Sequence, residues 1–382
     1  MKKRFGILTG GGDVPPLNAV ISAAADECNK QGVELLGFLR GWQGLLNKDY
    51  IVLNPGDVNP EIGGTILKSS RVNIAKVEDG VSIVDANVKE LGLSGLIVIG
   101  GDDTTSNSFY IKNIPQVLVS KTIDNDVGMV KENPDGTVDM INYFTLGFPT
   151  SADKIASFVS WSEGLRTTAY SHERIMIVES MGLHAGWLTL ASAAGKPDFI
   201  LLPEFNVDYD DLKERIAKKF LEQRNVMVVI SEGASWKGGG YISVDENNLD
   251  PFGHPRFKGA ADVLAEKLKT DLKKYFDTRN VNSVNPSYLY RAGNPNKLDL
   301  ESGQMLGREA VKKLNQGYSE RSFEVIQHNG KEFYADYFEV DKMDSIKDFH
   351  RFVNDKLYNP ETYTITEEGI KYLSKIVRFR EK

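Results

Sequence analysis

A second cysteine is missing from this 382-residue chain, so Cys28 can form no internal disulfide. A reducing compartment, the cytoplasm, is the expected location. Long apolar runs are missing too. No stretch approaches the roughly 18 apolar residues of a membrane span. The run Phe5–Leu8 behind the basic start MKKR is broken by glycine and too short for the core of a secretory signal. Nor is there an excess of positive charge. A net charge of -7 argues against a nucleic-acid surface. It leaves room for anion sites, which backbone N–H groups and a few Lys or Arg build locally. What remains is ordinary globular stock, 41% hydrophobic and 26% charged residues, at a length that predicts about two domains.

Short β-branched runs alternate with amphipathic stretches, the grammar of βα units on a parallel sheet. Strands are expected at Arg4–Leu8, Val33–Phe38, Leu96–Ile99, Val117–Val119, Ile175–Val178 and Val226–Ile230. Helices are expected at Leu17–Lys30, around Ser151–Thr167 and at Asp210–Gln223. The predicted class is α/β, two doubly wound Rossmann-like domains with the active site in the cleft between them. Residues 1–149 form the first domain, completed by 292–317. Residues 150–291 form the second, completed by the charged and aromatic stretch 318–382.

Three motifs each follow a predicted strand. In Thr9-Gly10-Gly11-Gly12-Asp13 the glycines allow a tight turn that brings N–H groups to a phosphate at a helix start, or simply a turn. The loop lacks the Lys-Ser/Thr ending of a P-loop and the spacing of a dinucleotide fingerprint. Gly100-Gly101-Asp102-Asp103-Thr104 sets two carboxylates at a strand end, where Mg²⁺ takes one or two carboxylates and fills up with water and phosphate. The alternative is a helix cap by Asp103 or Thr104. In Lys121-Thr122-Ile123-Asp124-Asn125-Asp126 an alternating chain points one carboxylate at a substrate hydroxyl and supports it with the other. Lys121 meets the charge of a transferring phosphoryl group. A polar turn is the plain alternative. All three motifs on one chain exceed what turns require.

Together with GWQGL (41–45), GGT and SSR (63–71), SHERI (171–175), ESMGLHAG (179–186), LLPE (201–204), ISEGA (230–234) and NPSYLYR (285–291), these residues resemble the phosphofructokinase superfamily in order, over about residues 4–310. NPSYLYR looks like the pyrophosphate-dependent, long-chain branch. The resemblance implies a Mg²⁺-dependent glycolytic phosphotransferase acting between pyrophosphate, or ATP, and a sugar phosphate, fructose 6-phosphate first. Asp124 would be the base, Asp102 would hold Mg²⁺, Gly11 and Gly12 would line the donor phosphate and Arg71 would bridge the transferring group. Thr122, Asp126, Met181, Gly182 and Glu204 would contact the sugar. Arg174, reaching from a neighbouring subunit of a homodimer or homotetramer, would bind the acceptor's phosphate with Tyr288 and Arg291. Arg174 and Arg291 could also be surface charges. No nucleic acid or membrane enters this reading.

Asp103 and Lys121 stand where ATP-using members of the family typically carry Gly, and this pair resembles pyrophosphate users. A carboxylate at 103 would repel the α-phosphate of ATP, whereas Lys121 can pair with pyrophosphate as a point charge. Other positions depart from the family. Leu183 replaces an arginine, Asn282 replaces a cation on the sugar's phosphate, Pro16 replaces a glycine, and GFPTS (147–151) differs from the usual loop. A different acceptor, or a weakly catalytic ligand-binding paralogue, are the alternatives these departures raise. His184 receives no role.

Overall fold

The computed structural model describes residues 2–135, 137–249, 255–317, 321–339 and 349–381. Two compact units divide the chain. The first holds Met1–Lys131, Met140–Thr150 and Arg291–Arg351, and the second Glu132–Asp139, Ser151–Tyr290 and Phe352–Lys382.

Five parallel strands lie at the centre of the first unit's sheet, ordered Arg321–His328, Gln116–Thr122, Leu93–Gly100, Arg4–Thr9 and Glu34–Phe38. Tyr50–Leu53 and Phe333–Glu339 pair antiparallel at the two edges. The central strands are buried on both faces, which is why they read as unbroken apolar runs rather than alternating ones. Helix Leu17–Lys30 has the bounds its periodicity predicts. The Gly303 and Gly307 face of helix Lys297–Asn315 packs against it, and a Cβ on Gly307 would strike the Val20 carbonyl.

Strands Arg321–His328 and Phe333–Glu339 correct the expectation that everything after 318 completes the second domain. They extend the first sheet, because Arg321–Glu324 lies in parallel register with Gln116–Val119. Residues 318–320 and 340–348 of that stretch lie outside the described residues. The second unit is built on four parallel strands, Phe199–Leu201, Val226–Ser231, Ile175–Ser180 and Val281–Val284. Helix Tyr209–Gln223 carries a core face of Leu212, Ile216 and Phe220. The helix expected at 151–167 is broken. Phe148–Val159 ends, the chain turns back so that Leu165 N donates to Phe158 O at 2.7 Å, and Arg166–Ser171 starts afresh. Gly164 makes this turn possible, since a Cβ there would collide with the carbonyls of Ser157 and Phe158.

Glu324 is a buried acid in the first sheet, with the Tyr337 hydroxyl beside its carboxylate. Burial holds its pKa well above the ordinary carboxylate range, with Tyr337 pulling against it and Glu309 adding to it. A raised folded-state pKa means that the stability present in acid is lost as pH rises past the unfolded value of about 4.3. Glu324→Gln is therefore expected to raise Tm at pH 8, with the gain shrinking toward pH 4. A Tm series in which the variant is least stable at pH 8 would refute the account.

Candidate active site

In the first unit, the glycine turn and two strand ends build one cluster. Gly11 sits at φ +78°, a conformation that L side chains rarely adopt. Gly12 lies against the Arg291 guanidinium, whose Nη1 would meet a Cβ placed there. Lys121, at the end of strand Gln116–Thr122, is 3% exposed. Its Nζ donates to the Gly12 carbonyl. On the other side, Ser69 Oγ donates to Gly11 O at 2.5 Å and Gly11 N donates to Ser70 O at 3.1 Å. Burial, with the nearby Arg291 charge, presses the Lys121 ammonium down to about 8, Asp13 and Asp124 opposing and Arg71 adding to the decrease. The Arg291 Nε is buried with no hydrogen-bond partner among the described residues. Two cations thus press on a backbone turn and a third, Arg71, adds its field, an arrangement suited to a polyanion.

The loop after Thr122 carries the second cluster. Ile123, Asn125 and Val127 are buried while Thr122, Asp124 and Asp126 are partly exposed, the alternation its spacing predicts. The Thr122 hydroxyl accepts from Asp124 N at 3.1 Å and donates to Asp124 Oδ2 at 3.2 Å, tying that carboxylate to its own loop. Asp126 is pushed up to about 6 by burial and then by the charges of Asp124 and Asp102, with His350 opposing. His350 Nε2 lies 2.8 Å from Asp102 Oδ2, and its Nδ1 lies 4.0 Å from Asp126 Oδ2. The hydrogen bond to Asp102 raises the imidazole above its ordinary value. Asp102 and the exposed Asp103 open helix Asp102–Asn107, whose N-terminus no side chain caps, so capping does not account for either carboxylate.

In the second unit, Met181 and Gly182 follow strand Ile175–Ser180, with Gly182 at φ +122°. Gly182 N donates to Glu232 Oε1 at 3.1 Å. Glu204 Oε1 accepts from Gly186 N at 2.8 Å and from Val353 N at 2.9 Å. Its Oε2 is buried and has no partner among the described residues, and burial raises the acid. Tyr288 is 75% exposed. Arg174, whose Nη1 donates to Thr168 Oγ1 at 2.7 Å, precedes the strand that Met181 follows. The six residues of that strand, roughly 20 Å of extended chain, separate Arg174 from Met181. Asn282 pairs with Met176, toward the Arg174 end of that strand.

The phosphofructokinase family profile matches residues 4–314. A pyrophosphate–fructose 6-phosphate 1-phosphotransferase of Dictyoglomus thermophilum is 40% identical over 324 residues, 83% of this chain and 88% of that protein. The chain belongs to the phosphofructokinase family. It is a phosphofructokinase-type phosphotransferase. An ATP-dependent 6-phosphofructokinase 3 of Streptomyces coelicolor follows at 36% identity over 321 residues, 82% of this chain and 88% of that one, so similarity alone leaves the donor open. The solved pyrophosphate-dependent phosphofructokinase of Nitrosospira multiformis shares the fold, with a TM-score of 0.79 over 99% of this chain and 93% of that one at 19% identity.

Enzymes of this family use a divalent metal. Among the described residues no group of three or more His, Cys, Asp or Glu forms a protein cage for one. The mutual repulsion of Asp102, Asp124 and Asp126 is a field that a divalent cation would relieve. His350 and Arg351 escaped the sequence reading. They lie beyond residue 314, and nothing in HRFV sets them apart from a surface turn. No helix among the described residues is long and apolar enough to cross a membrane.

Proposed function

We propose that this phosphotransferase moves a phosphoryl group from pyrophosphate to the 1-hydroxyl of fructose 6-phosphate. The observation that carries the donor choice is the pair Asp103 and Lys121. Lys121 is buried against the Gly12 carbonyl, and Asp103 is exposed at the same end of the sheet and caps nothing. A carboxylate at 103 repels the α-phosphate of ATP, and pyrophosphate has no such group.

In this reading Asp124 takes the proton from the acceptor hydroxyl as its oxygen attacks phosphorus. The P–O–P bridge breaks and inorganic phosphate leaves. Lys121 and Arg71 offset the charge on the transferring group, while the Gly11–Gly12 turn seats the donor. Mg²⁺, held by Asp102, supplies further charge neutralisation when bound. Thr122 and Asp126 orient the sugar, as do Met181, Gly182 and Glu204, whose unpartnered Oε2 can accept a sugar hydroxyl. Arg174 from a neighbouring subunit of a homodimer or homotetramer, Tyr288 and Arg291 serve the acceptor's phosphate. Arg291 also lends its charge to the donor turn it stands beside. A reducing cytoplasm suits the buried, unpaired Cys28.

A second acceptor reading has its own observation. Leu183, 46% exposed, stands where the family's arginine would be. With His184, Pro203, Gly233 and Ser235 it lines a pocket of about 300 Å³. A sugar with a smaller or differently placed anionic group would fit this loss of charge. Initial rates crossing pyrophosphate and ATP with fructose 6-phosphate and other sugar phosphates decide both points. Pyrophosphate with fructose 6-phosphate is expected to give the highest kcat/KM. A preference for ATP would remove the donor assignment, and a better acceptor would replace fructose 6-phosphate.

A further inference from the structure

The loop that holds Asp124 and Asp126 is not fixed by its own residues alone. Its middle residue, Asn125, is fully buried at φ +56°, between the two carboxylates. Arg351 closes over it from a segment 226 residues away in the chain. Arg351 is 2% exposed, and its guanidinium donates to oxygens of this loop and of Asn142. Nε donates to Asn125 O at 2.7 Å, Nη2 to Asn125 Oδ1 at 2.5 Å and Nη1 to Asn142 O at 2.5 Å. The Arg351 backbone N donates to Asp126 O at 2.7 Å, and Gly128 N donates to Phe349 O at 2.9 Å. Thr145 N donates to the same Asn125 side-chain oxygen at 3.0 Å.

A guanidinium presents its donors in a rigid planar fork, which lysine cannot reproduce. Gripping the carbonyl of Asn125 fixes the peptide plane after it, and gripping the side chain fixes how the residue itself sits in the loop. That sets the direction of Asp124 one residue before and Asp126 one residue after. We propose that Arg351 is a positioning residue of the phosphoryl transfer, supplied by a segment outside the family-matched residues 4–314. It acts on the geometry of the Asp124 loop and has no part in binding the donor. The inference rests on the reading of Asp124 as base, and its test separates the two.

Four proteins are compared with pyrophosphate, fructose 6-phosphate and Mg²⁺: the unmodified enzyme, Arg351→Lys, Asp124→Asn and the double variant. Misplacement of a reacting group by about 1 Å costs up to about a hundredfold. Arg351→Lys is therefore expected to lower kcat by roughly ten- to a hundredfold, with the pyrophosphate KM changed less than about threefold. In the Asp124→Asn background the same change is expected to lower kcat by less than about threefold more, because a misplaced base matters only while the base is present.

Unchanged kcat in Arg351→Lys overturns the proposal. So does a double variant whose losses multiply, because Arg351 would then act elsewhere. An active Asp124→Asn enzyme removes the base reading, and the inference with it, and is recognisable from that single variant. Should Arg351→Lys fail to fold, Asn125→Gly carries the test. It deletes the side-chain oxygen that Arg351 grips at a φ glycine accepts. It is expected to reproduce the kcat loss at unchanged pyrophosphate KM, and full activity in that variant would overturn the proposal.

Discussion

Asp124→Asn is expected to lower turnover by about a hundredfold to ten-thousandfold while pyrophosphate binds within a fewfold of its original affinity. Asparagine keeps the shape of the side chain and can still meet the Thr122 hydroxyl that lies 3.2 Å from Asp124 Oδ2. What it loses is the ability to take a proton. The donor cluster of Gly11, Gly12 and Lys121 gathers about the Gly12 carbonyl and depends on the Asp124 charge only weakly. Asp124 supplies a smaller part of the field at Lys121 than burial or Arg291 does. The loss therefore belongs in kcat, and single-turnover rates with saturating pyrophosphate should show it undiluted by product release. The substitution also removes one of the two carboxylate charges that hold Asp126 up at about 6. Asp126 should then ionise at lower pH, a shift that carbon-13 NMR of labelled aspartate can follow. A variant with near-original turnover would take Asp124 out of the mechanism. So would a loss confined to the donor KM.

How much of this was visible in the chain depends on how local the cause was. The strand ending at Gly100 and the helix Leu17–Lys30 are written in short-range periodicity. The three motifs are legible because Gly, Asp and Lys recur just past strand ends, where few structural needs call for them. The break between Val159 and Arg166 was missed because amphipathic spacing continues through it, and the turn depends on the close approach that Gly164 permits. The return of 321–339 to the first sheet is a matter of topology, since the apolar pattern of Arg321–His328 suits any buried sheet. Arg351 and His350 were hidden for the same reason. Their partners lie more than 200 residues away, and an arginine reads as surface until its burial is known. The alternation from Thr122 to Val127 could be read, but not what holds it.

Lys121→Met should cut kcat/KM for pyrophosphate by about a hundred- to a thousandfold, the scale seen when one charged or polar donor to a developing negative charge is lost. Methionine fills nearly the same volume, which matters because Lys121 is 3% exposed and its stem is packed. The charge, not the packing, is what disappears. The pH dependence separates these. Burial and the Arg291 charge bring the Lys121 ammonium down to about 8, so it is positive below that pH and neutral above it. The kcat/KM profile reports groups of the free enzyme. For the unmodified protein it should fall as pH rises through about 8. In Lys121→Met that limb should vanish, leaving a low profile that no longer falls near pH 8. Bound pyrophosphate favours the charged ammonium, so the corresponding limb in kcat should move to higher pH. A Lys121→Met enzyme that keeps the alkaline limb would assign it to another group. One that keeps full kcat/KM for pyrophosphate would separate Lys121 from the donor and reopen the choice between pyrophosphate and ATP.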